Sequence, residues 1–344
     1  MTITTRLTQR FKLKHPIVLA PMTVSGGALA AAVSEAGGLG LLGGSYINRP
    51  LLESESAKGR RPDLGCGFIT WSLAEDPELL DLALDRFPRA MMLSFSDPAP
   101  YAPRIKQAGV PLICQVHTLE HALHAVDVGA DVVVAQGTEA GGHGFTVQST
   151  LPFVPAVVDA LAKRAPDVLV LAAGGIADGR GLAAALMLGA DGVLMGTRFY
   201  MTQEAMIADA AKTKALTKVG ADTVRTSVYD VVLNREWPAG YVPRVVRGDF
   251  VEKWHGHEDE LRRVREAEFA KLEHAIATDD YDIANLTVGE GVGLVHDVPK
   301  ASDVVDRTIA EAEALFKKFA PGLAAKSAPT GEGLVSEMPR RIAS

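Results

Sequence analysis

The chain has 344 residues, of which 47% are hydrophobic and 22% are charged, and this composition is typical of a folded globular protein. The formal net charge is −7 and no basic stripe occurs along the sequence, which argues against a nucleic-acid-binding protein. The sequence has no window of about 18 uncharged apolar residues and no secretory signal, so we expect no membrane partner. Both cysteines lie in apolar segments typical of buried thiols, and we therefore expect a cytoplasmic protein.

Eight short apolar segments recur through the first 200 residues, and helical patterns separate them. This alternation is typical of βαβ units that build a parallel sheet. The segments are nearly continuous in apolar residues, as at residues 132–134 and 168–171, which indicates strands covered on both faces. The predicted strands begin near Ile17, Leu39, Gly65, Ala90, Pro111, Asp131, Val168 and Gly192.

Three of the intervening segments carry clear helix signals. Residues 28–36 are rich in alanine and end in two glycines, residues 118–128 begin with a threonine N-cap, and residues 178–188 end before Gly189. Eight strand–helix units can close into a barrel or form an open doubly wound sheet, and the count of eight favours the barrel. We therefore predict an α/β protein built on a (β/α)8 TIM barrel.

The pattern changes after the eighth predicted strand. Residues 203–280 show no clear strand signal and contain two helical stretches, 203–218 and 257–277, around an aromatic loop at residues 234–241. An amphipathic helix over residues 302–319 is predicted to complete the outer ring. The predicted division is a barrel at 1–200, a smaller helical cap or substrate domain at 201–298, a helix at 299–320 that returns to the barrel, and a mobile tail at 321–344.

Glycine is over-represented, with 33 residues, and its placement is informative. Gly174 and Gly175 follow the seventh predicted strand, and Gly196 follows the eighth. In barrels these two loops often form a phosphate site, since glycine amides can approach an anion closely and a helix beginning near Asp178 adds oriented N–H groups. Arg180 adds a positive charge if it points inward. We therefore predict a phosphate site here, the alternative being glycines that only make tight turns.

His143 lies in a glycine-rich loop after the sixth predicted strand, at the end of the barrel where catalysis is expected. Its side chain titrates near neutral pH, so it can accept or donate a proton there. His117, at the end of strand five, is a second candidate. His121 and His124 follow His117 at helical spacing but lack the His-Glu-x-x-His pattern of a zinc site, so we predict a helix surface for both and no metal.

Five motifs occur together in the order found in a known family, at residues 16–22, 37–40, 137–143, 174–179 and 195–199. They resemble the nitronate monooxygenase family, formerly called 2-nitropropane dioxygenases, over residues 12–200, with a weaker echo at residues 289–294. Flavin-dependent enoyl-acyl-carrier-protein reductases and NADH:quinone reductases resemble it with nearly the same motifs. The resemblance implies an FMN-dependent (β/α)8 barrel with a helical cap.

The resemblance also implies roles for individual residues. It makes His143 the active-site histidine beside the flavin, and it makes Gln115 and Gln136 contacts of the flavin. The other implied cofactor-binding residues are Ala20, Pro21 and Met22 along the ring, Gly141 and Gly142 beside the histidine, and Gly174, Gly175, Gly196 and Thr197 around the phosphate. The sequence departs from the family at the residue after His143, which is glycine instead of arginine, and at Gln115, where some reductase relatives have lysine.

The implied activity is oxidation of alkyl nitronates, such as propionate 3-nitronate, with dioxygen to a carbonyl compound and nitrite. The alternative is an FMN-dependent NAD(P)H:quinone or enoyl-thioester reductase. Gln115 lacks the charge of lysine, which disfavours a dedicated pyridine-nucleotide oxidase. A barrel that binds a phosphate ligand without redox chemistry ranks behind both. A small molecule and dioxygen are the expected partners, whereas the physiological substrate and a homo-oligomeric state are left open.

Overall fold

A parallel sheet of eight strands occupies the first part of the chain; the structure, a computed structural model, describes residues 3–44, 46, 49–59, 63–87 and 89–325. The strands are β1 (Ile17–Leu19), β2 (Leu41–Gly43), β3 (Gly65–Ile69), β4 (Met91–Ser94), β5 (Leu112–Val116), β6 (Val132–Gln136), β7 (Leu169–Ala173) and β8 (Gly192–Met195). Each strand begins within two residues of its predicted start, because strands covered on both faces leave a continuous apolar signal in the sequence.

The sheet closes into a barrel through one short contact. Strands β2 to β8 pair in chain order, and β1 pairs with β8, with Val18 opposite Leu194. An isolated parallel bridge then joins Val18 to Leu39, just before β2, and the amide of Leu39 donates to the carbonyl of Ile17 over 2.9 Å. The predicted (β/α)8 barrel is therefore confirmed.

Helices alternate with the strands around the barrel. They are α1 (Arg6–Phe11), α2 (Gly27–Glu35), α3 (Arg49–Gly59), α4 (Glu78–Arg86), α5 (Ala102–Gln107), α6 (Leu119–Asp127), α7 (Thr150–Arg164), α8 (Gly179–Met187) and α9 (Thr197–Tyr200), with a 3₁₀ helix at Thr70–Ala74. The Thr118 hydroxyl accepts from the amide of His121 at the start of α6, which is the predicted N-cap. The three helices predicted with clear signals are thus present, each within one residue of its predicted ends.

Apolar side chains fill the barrel and cover its outside. Alternate strand residues, such as Ile113 and Leu171, form an inner cluster, and the others pack against the helices. Leu7 and Phe11 of α1 join the inner cluster, and Gly192 at the start of β8 leaves room for the Leu7 side chain. Burying each such side chain contributes about 1.5–3 kcal/mol. The amino ends of the strands are therefore plugged, and the carboxyl ends stay available for a site.

The segment after β8 contains helices and a two-stranded ribbon. Its elements are α10 (Asp209–Ala215), a 3₁₀ helix (Gly220–Asp222), β9 (Thr223–Arg225), α11 (Val228–Val232), β10 (Arg244–Val246), α12 (Asp249–Trp254), α13 (Glu258–Arg263), α14 (Arg265–Ala277) and a 3₁₀ helix (Glu290–Leu294). The antiparallel pair β9–β10 corrects the expectation of a region without strands. The strands were missed because each has three residues and carries an arginine, which leaves too short an apolar run to detect. The helix predicted at 203–218 is likewise confined to α10.

The last helix, α15 (Ala301–Ala325), returns to the barrel and packs against α8 and α2. Its buried residues include Val305, Ile309 and Ala312, which lie on the face predicted from the sequence. The helix passes the predicted boundary at residue 320, so residues 321–325 are helical where a tail was expected. The stretch begins with Pro321 and Gly322, the two residues that least favour a helix interior, which is why the sequence predicted an end at residue 320. The rest of the predicted tail, residues 326–344, lies outside the described residues.

Candidate active site

A cavity of about 260 Å³ opens at the carboxyl ends of the barrel strands and is covered by residues from the 201–298 segment. Every residue to which the family resemblance gave a role lines this cavity. They are Ala20, Pro21 and Met22 after β1, Gln115 in β5, Gln136 in β6, Gly141, Gly142 and His143 in the β6–α7 loop, Gly174 and Gly175 after β7, and Gly196 and Thr197 after β8. The structure thus brings the predicted residues together, while their roles stay predictions.

The two glycine loops offer amide donors that the protein leaves unused. Gly174 and Gly175 have φ angles of +103° and +72°, a conformation that favours glycine. Among the hydrogen bonds between described residues, none is donated by the amides of Gly175, Gly196 or Thr197. A Cβ added to Gly196 would lie 3.5 Å from the sulfur of Met22, so the approach to its amide is open. Such free amides suit the oxygens of a phosphate.

The start of α8 does not contribute the donors expected from the sequence. The amide of Gly179 donates to the Glu311 carboxylate over 2.9 Å, and the amides of Arg180 and Gly181 donate to Asp178. These carboxylates take up the first amides of the helix. The side chain of Arg180 also pairs with Asp178 and is 60% exposed, so its charge points away from the cavity. The phosphate prediction therefore depends on loop amides alone.

The 289–294 segment, a weak echo in the sequence, closes one side of the cavity. A Cβ on Gly141 would lie 2.5 Å from the amide nitrogen of Gly289, so the two backbones touch only because both residues are glycine. The amide of Gly289 donates to Thr197 Oγ1 over 2.8 Å, and the amide of Glu290 donates to the carbonyl of Glu139 over 2.9 Å. These bonds tie the end of the cap segment to both the histidine loop and the phosphate loop.

His143 is mostly buried in the cavity wall and is held on two sides. Its Nε2 lies 3.0 Å from Oδ2 of Asp230, and its ring stacks on Trp237 with 3.3 Å between ring centroids. An ionised carboxylate only accepts hydrogen bonds, so the pair places the imidazole proton on Nε2 and leaves the lone pair on Nδ1. Burial lowers the pKa of His143, and the hydrogen bond with Asp230 opposes that shift. The neutral ring can therefore accept a proton at neutral pH.

The backbone around His143 is fastened to the β9–β10 ribbon. Gly142 and Arg244 exchange both backbone hydrogen bonds, and the amide of Val242 donates to the carbonyl of Gly144 over 3.1 Å. The partly buried guanidinium of Arg225 donates to backbone carbonyls on both sides of the histidine. Its acceptors are the carbonyls of Thr138, Ala140, Gly142, Gly144 and Val242. Burial lowers the pKa of Arg225 to about 10, so it keeps its charge at neutral pH.

His117 lies beneath the cavity and does not line it. It is 3% exposed, and its Nε2 lies 3.1 Å from Oε1 of Gln136, whose Nε2 donates to the carbonyl of His143. Gln115 also donates to Gln136. Burial lowers the pKa of His117 to about 3, so the ring stays neutral. His117 therefore orients Gln136. The prediction that His117 lies at the end of β5 is right, but this second site candidate does not line the cavity.

The other two histidines lie away from the cavity lining. His124 is exposed and pairs with Asp97 over 2.7 Å, and His121 is partly buried against the edge of Phe145. Among the described residues no group of three or more histidine, cysteine, aspartate or glutamate side chains could hold a metal ion. The helices in the part of the chain that the structure describes include none long and apolar enough to cross a membrane.

Comparison with known proteins decides the family. A sequence model of nitronate monooxygenases matches residues 74–311. The chain belongs to the nitronate monooxygenase family. A nitronate monooxygenase from Neurospora crassa is 33% identical and aligns over 89% of this chain and 91% of its own length. The family assignment makes this chain a flavin-dependent oxidoreductase, as the sequence predicted.

This member of the nitronate monooxygenase family is also similar to a CoA-ester dehydrogenase and to a solved structure. The (3aS,4S,5R,7aS)-5-hydroxy-7a-methyl-1-oxo-octahydro-1H-indene-4-carboxyl-CoA dehydrogenase of Rhodococcus jostii is 37% identical over 68% of this chain, and the match spans only 65% of that relative. The solved structure of FabK from Thermotoga maritima is 30% identical, covers 93% of this chain and 100% of its own, and has a TM-score of 0.81.

Several residues of the cavity wall were not singled out from the sequence. Asp230, Arg235 and Trp237 come from the cap segment, and Tyr46 and Phe95 come from loops after β2 and β4. Phe95 has a φ of +63°, which a bulky side chain rarely adopts and which often marks a functional site. The aromatic loop at 234–241 was visible in the sequence, but nothing there connected it to His143.

Proposed function

We propose that this protein is an FMN-dependent nitronate monooxygenase, which oxidises alkyl nitronates such as propionate 3-nitronate with dioxygen to a carbonyl compound and nitrite. The observation that carries the proposal is the pairing of His143 with Asp230 in the wall of a cavity that also offers free amides. Family membership and the Neurospora relative of that name support it. Two nitronate anions and one dioxygen balance two carbonyl products and two nitrite ions.

The cavity fits FMN by the chemistry of its lining. The free amides of Gly175, Gly196 and Thr197, together with Gly174, would hold the phosphate. The residues proposed along the flavin ring are Ala20, Pro21, Met22, Gln115, Gln136, Gly141 and Gly142. When bound, the flavin would supply the redox chemistry that passes electrons from the substrate to dioxygen.

The chain itself supplies binding and proton transfer. Nδ1 of His143 would take the proton from the α-carbon of a neutral nitroalkane, which gives the nitronate. Asp230 would hold Nε2–H and stabilise the imidazolium that forms, and the ring of Trp237 would keep water from one face of the imidazole. A substrate supplied as the nitronate needs no proton removed, and His143 would then serve as a hydrogen-bonding partner. We place the substrate between the barrel, residues 1–200, and the cap, residues 201–298.

Replacement of His143 by asparagine tests this assignment. We expect kcat for a neutral nitroalkane to fall by about 10²- to 10⁴-fold, because a general base is lost, and kcat for the matching nitronate to fall much less. Nitrite release and oxygen consumption by the yellow purified protein measure both rates. Equal losses for the two substrates, or a colourless protein that refuses added FMN, would contradict the proposal.

A second candidate is an FMN-dependent reductase or dehydrogenase that exchanges electrons between NAD(P)H and an enoyl thioester or a quinone. The similarity to the indene-carboxyl-CoA dehydrogenase of Rhodococcus jostii and to FabK favours it. One residue disfavours this second candidate: Gln115 is neutral, whereas some reductase relatives have a positively charged lysine at this position. Rapid anaerobic reduction of the bound flavin by NADH or NADPH would support this reading over the first.

A further inference from the structure

The charged side chains that line the cavity are unequally paired. Both carboxylates are satisfied within the protein, since Glu139 accepts from the amide and hydroxyl of Thr150 and Asp230 bonds to His143. Arg235 also lines the cavity, and among the described residues its guanidinium has no hydrogen bond or ion pair. The cavity therefore presents one cation whose charge no described side chain neutralises.

A second donor lies beside Arg235. The indole N–H of Trp237 is buried, and its polar contact is the Tyr46 hydroxyl, which is too loosely aligned for a full hydrogen bond. The indole N–H of Trp71, whose ring contacts Trp237 edge-on at 5.4 Å, is buried and makes no hydrogen bond to a described residue. An indole nitrogen donates only. A buried donor without an acceptor is costly, so a ligand that supplies one gains affinity there.

The ring of Tyr46 holds the guanidinium of Arg235 in place without neutralising its charge. Arg235 lies over the face of Tyr46 at 4.1 Å from the ring centroid, which is a cation–π contact. Burial raises the pKa of Tyr46 to about 12, so this phenol stays protonated and adds no negative charge to the wall. This part of the cavity thus carries donors and a positive charge.

These donors belong to a different part of the cavity from the glycine loops. Trp237 stacks on His143, whereas the carbonyl of Gly174 accepts from the Thr150 hydroxyl at the start of α7. A group bound at Trp237 therefore lies next to the proposed base and apart from the proposed phosphate position. We therefore assign an acceptor-rich anion held there to the substrate and not to the flavin phosphate.

We propose that Arg235 and the indole N–H of Trp237 form an anion subsite that binds a carboxylate of the substrate a short distance from the carbon that reacts at His143. The inference rests on the proposed function and deepens it, because it names the residues that prefer a nitronate bearing a carboxylate over a plain alkyl nitronate. A planar guanidinium suits a carboxylate, whose oxygens only accept hydrogen bonds.

The test compares two nitronates of similar shape. Propionate 3-nitronate carries the carboxylate, and 3-methylbutane-1-nitronate replaces it with an isopropyl group. The measured quantity is the ratio of their kcat/KM values. We expect Arg235→Gln to lower this ratio at least about tenfold, through KM of the carboxylated substrate, and Trp237→Phe, which keeps an aromatic ring but lacks the N–H, to lower it less.

Two variants serve as matched controls. Arg235→Lys keeps the charge and should preserve most of the preference for the carboxylated nitronate. Arg262→Gln removes an exposed cap arginine that pairs with Asp259 outside the cavity and should leave the ratio as in the unmodified protein. A ratio unaffected by Arg235→Gln overturns the subsite. If Arg235→Gln instead raises KM for NADPH more than KM for NADH and leaves the nitronate ratio constant, Arg235 binds the extra phosphate of NADPH. That result also overturns the subsite.

A binding measurement separates this inference from the proposed function. Anaerobic calorimetry on the flavin-loaded His143→Asn variant, which lacks the proposed base, gives the Kd of 3-nitropropionate and of 1-nitropropane without turnover, with and without Arg235→Gln. If the unmodified protein oxidises neither nitronate, the proposed function fails, and the subsite is still decided. Binding of 3-nitropropionate weakened at least about tenfold by Arg235→Gln, against a smaller change for 1-nitropropane, supports the subsite, and equal changes for both overturn it.

Discussion

The charge on His143 reflects two opposing influences. Burial disfavours the imidazolium and lowers the pKa, whereas the carboxylate of Asp230 favours the imidazolium and raises it, with burial the larger effect. Below the resulting pKa the ring is protonated and cannot act as a base. Turnover of neutral nitroalkanes should therefore fall on the acidic side, below the ordinary range for histidine.

Replacing Asp230 by asparagine should change both the rate and its pH dependence. The variant loses the charge that raises the pKa of His143, so that pKa falls further and the acidic limb of kcat/KM moves to lower pH. Because Nε2–H is held less firmly, we expect kcat/KM for a neutral nitroalkane to fall by about 10²-fold. The control is Asp259→Asn on the exposed helix α13. An acidic limb that stays in place would show that Asp230 does not act through the imidazole.

At the residue scale, the sequence predicted the part of the site that lies within one motif. His143 was found because glycines surround it at the end of a predicted strand. Asp230 was not, because it lies 87 residues further along the chain and no spacing rule connects it to the histidine. The same holds for Arg235, an exposed arginine that looks like any solvated charge until the fold places it on the cavity.

At the scale of elements, the β9–β10 ribbon supports the histidine loop. The loop adds to the ribbon through Gly142 and Gly144, and Arg225 in β9 spans both with its guanidinium. This arrangement explains why a cap element is needed for a barrel loop to keep its shape. The sequence did not predict it, since three-residue strands containing arginine give no alternating apolar pattern.

Arg225→Lys should destabilise the fold. Lysine keeps the charge but cannot reach five carbonyls with one planar group, so buried acceptors lose their donors. We expect the free energy of unfolding to fall by about 2–4 kcal/mol, measured by chemical denaturation. Arg247→Lys, at an exposed pair with Glu252, should change it by less than about 0.5 kcal/mol. Similar small changes in both variants would mean that the guanidinium does not hold the loop.

At the scale of the whole molecule, the barrel was predictable and the cap only in part, since the helical stretch predicted at 257–277 corresponds to α13 and α14. Parallel strands covered on both faces appear in the sequence as continuous apolar runs, so all eight strands were located. The final helix was found from its apolar stripe. The cap has shorter elements and its own small core around Tyr229 and Phe250. Its contribution to the cavity depends on tertiary contacts with the barrel, which local patterns do not encode.

Anaerobic titration of the flavin-loaded protein tests the central claim most directly. The absorbance of the bound flavin is followed while propionate 3-nitronate, NADH or NADPH is added in separate experiments. The proposed function predicts that the nitronate reduces the flavin rapidly and that both nicotinamide nucleotides do so slowly or not at all. Rapid reduction by NADH or NADPH together with no reduction by the nitronate would contradict it and assign the protein to the reductases.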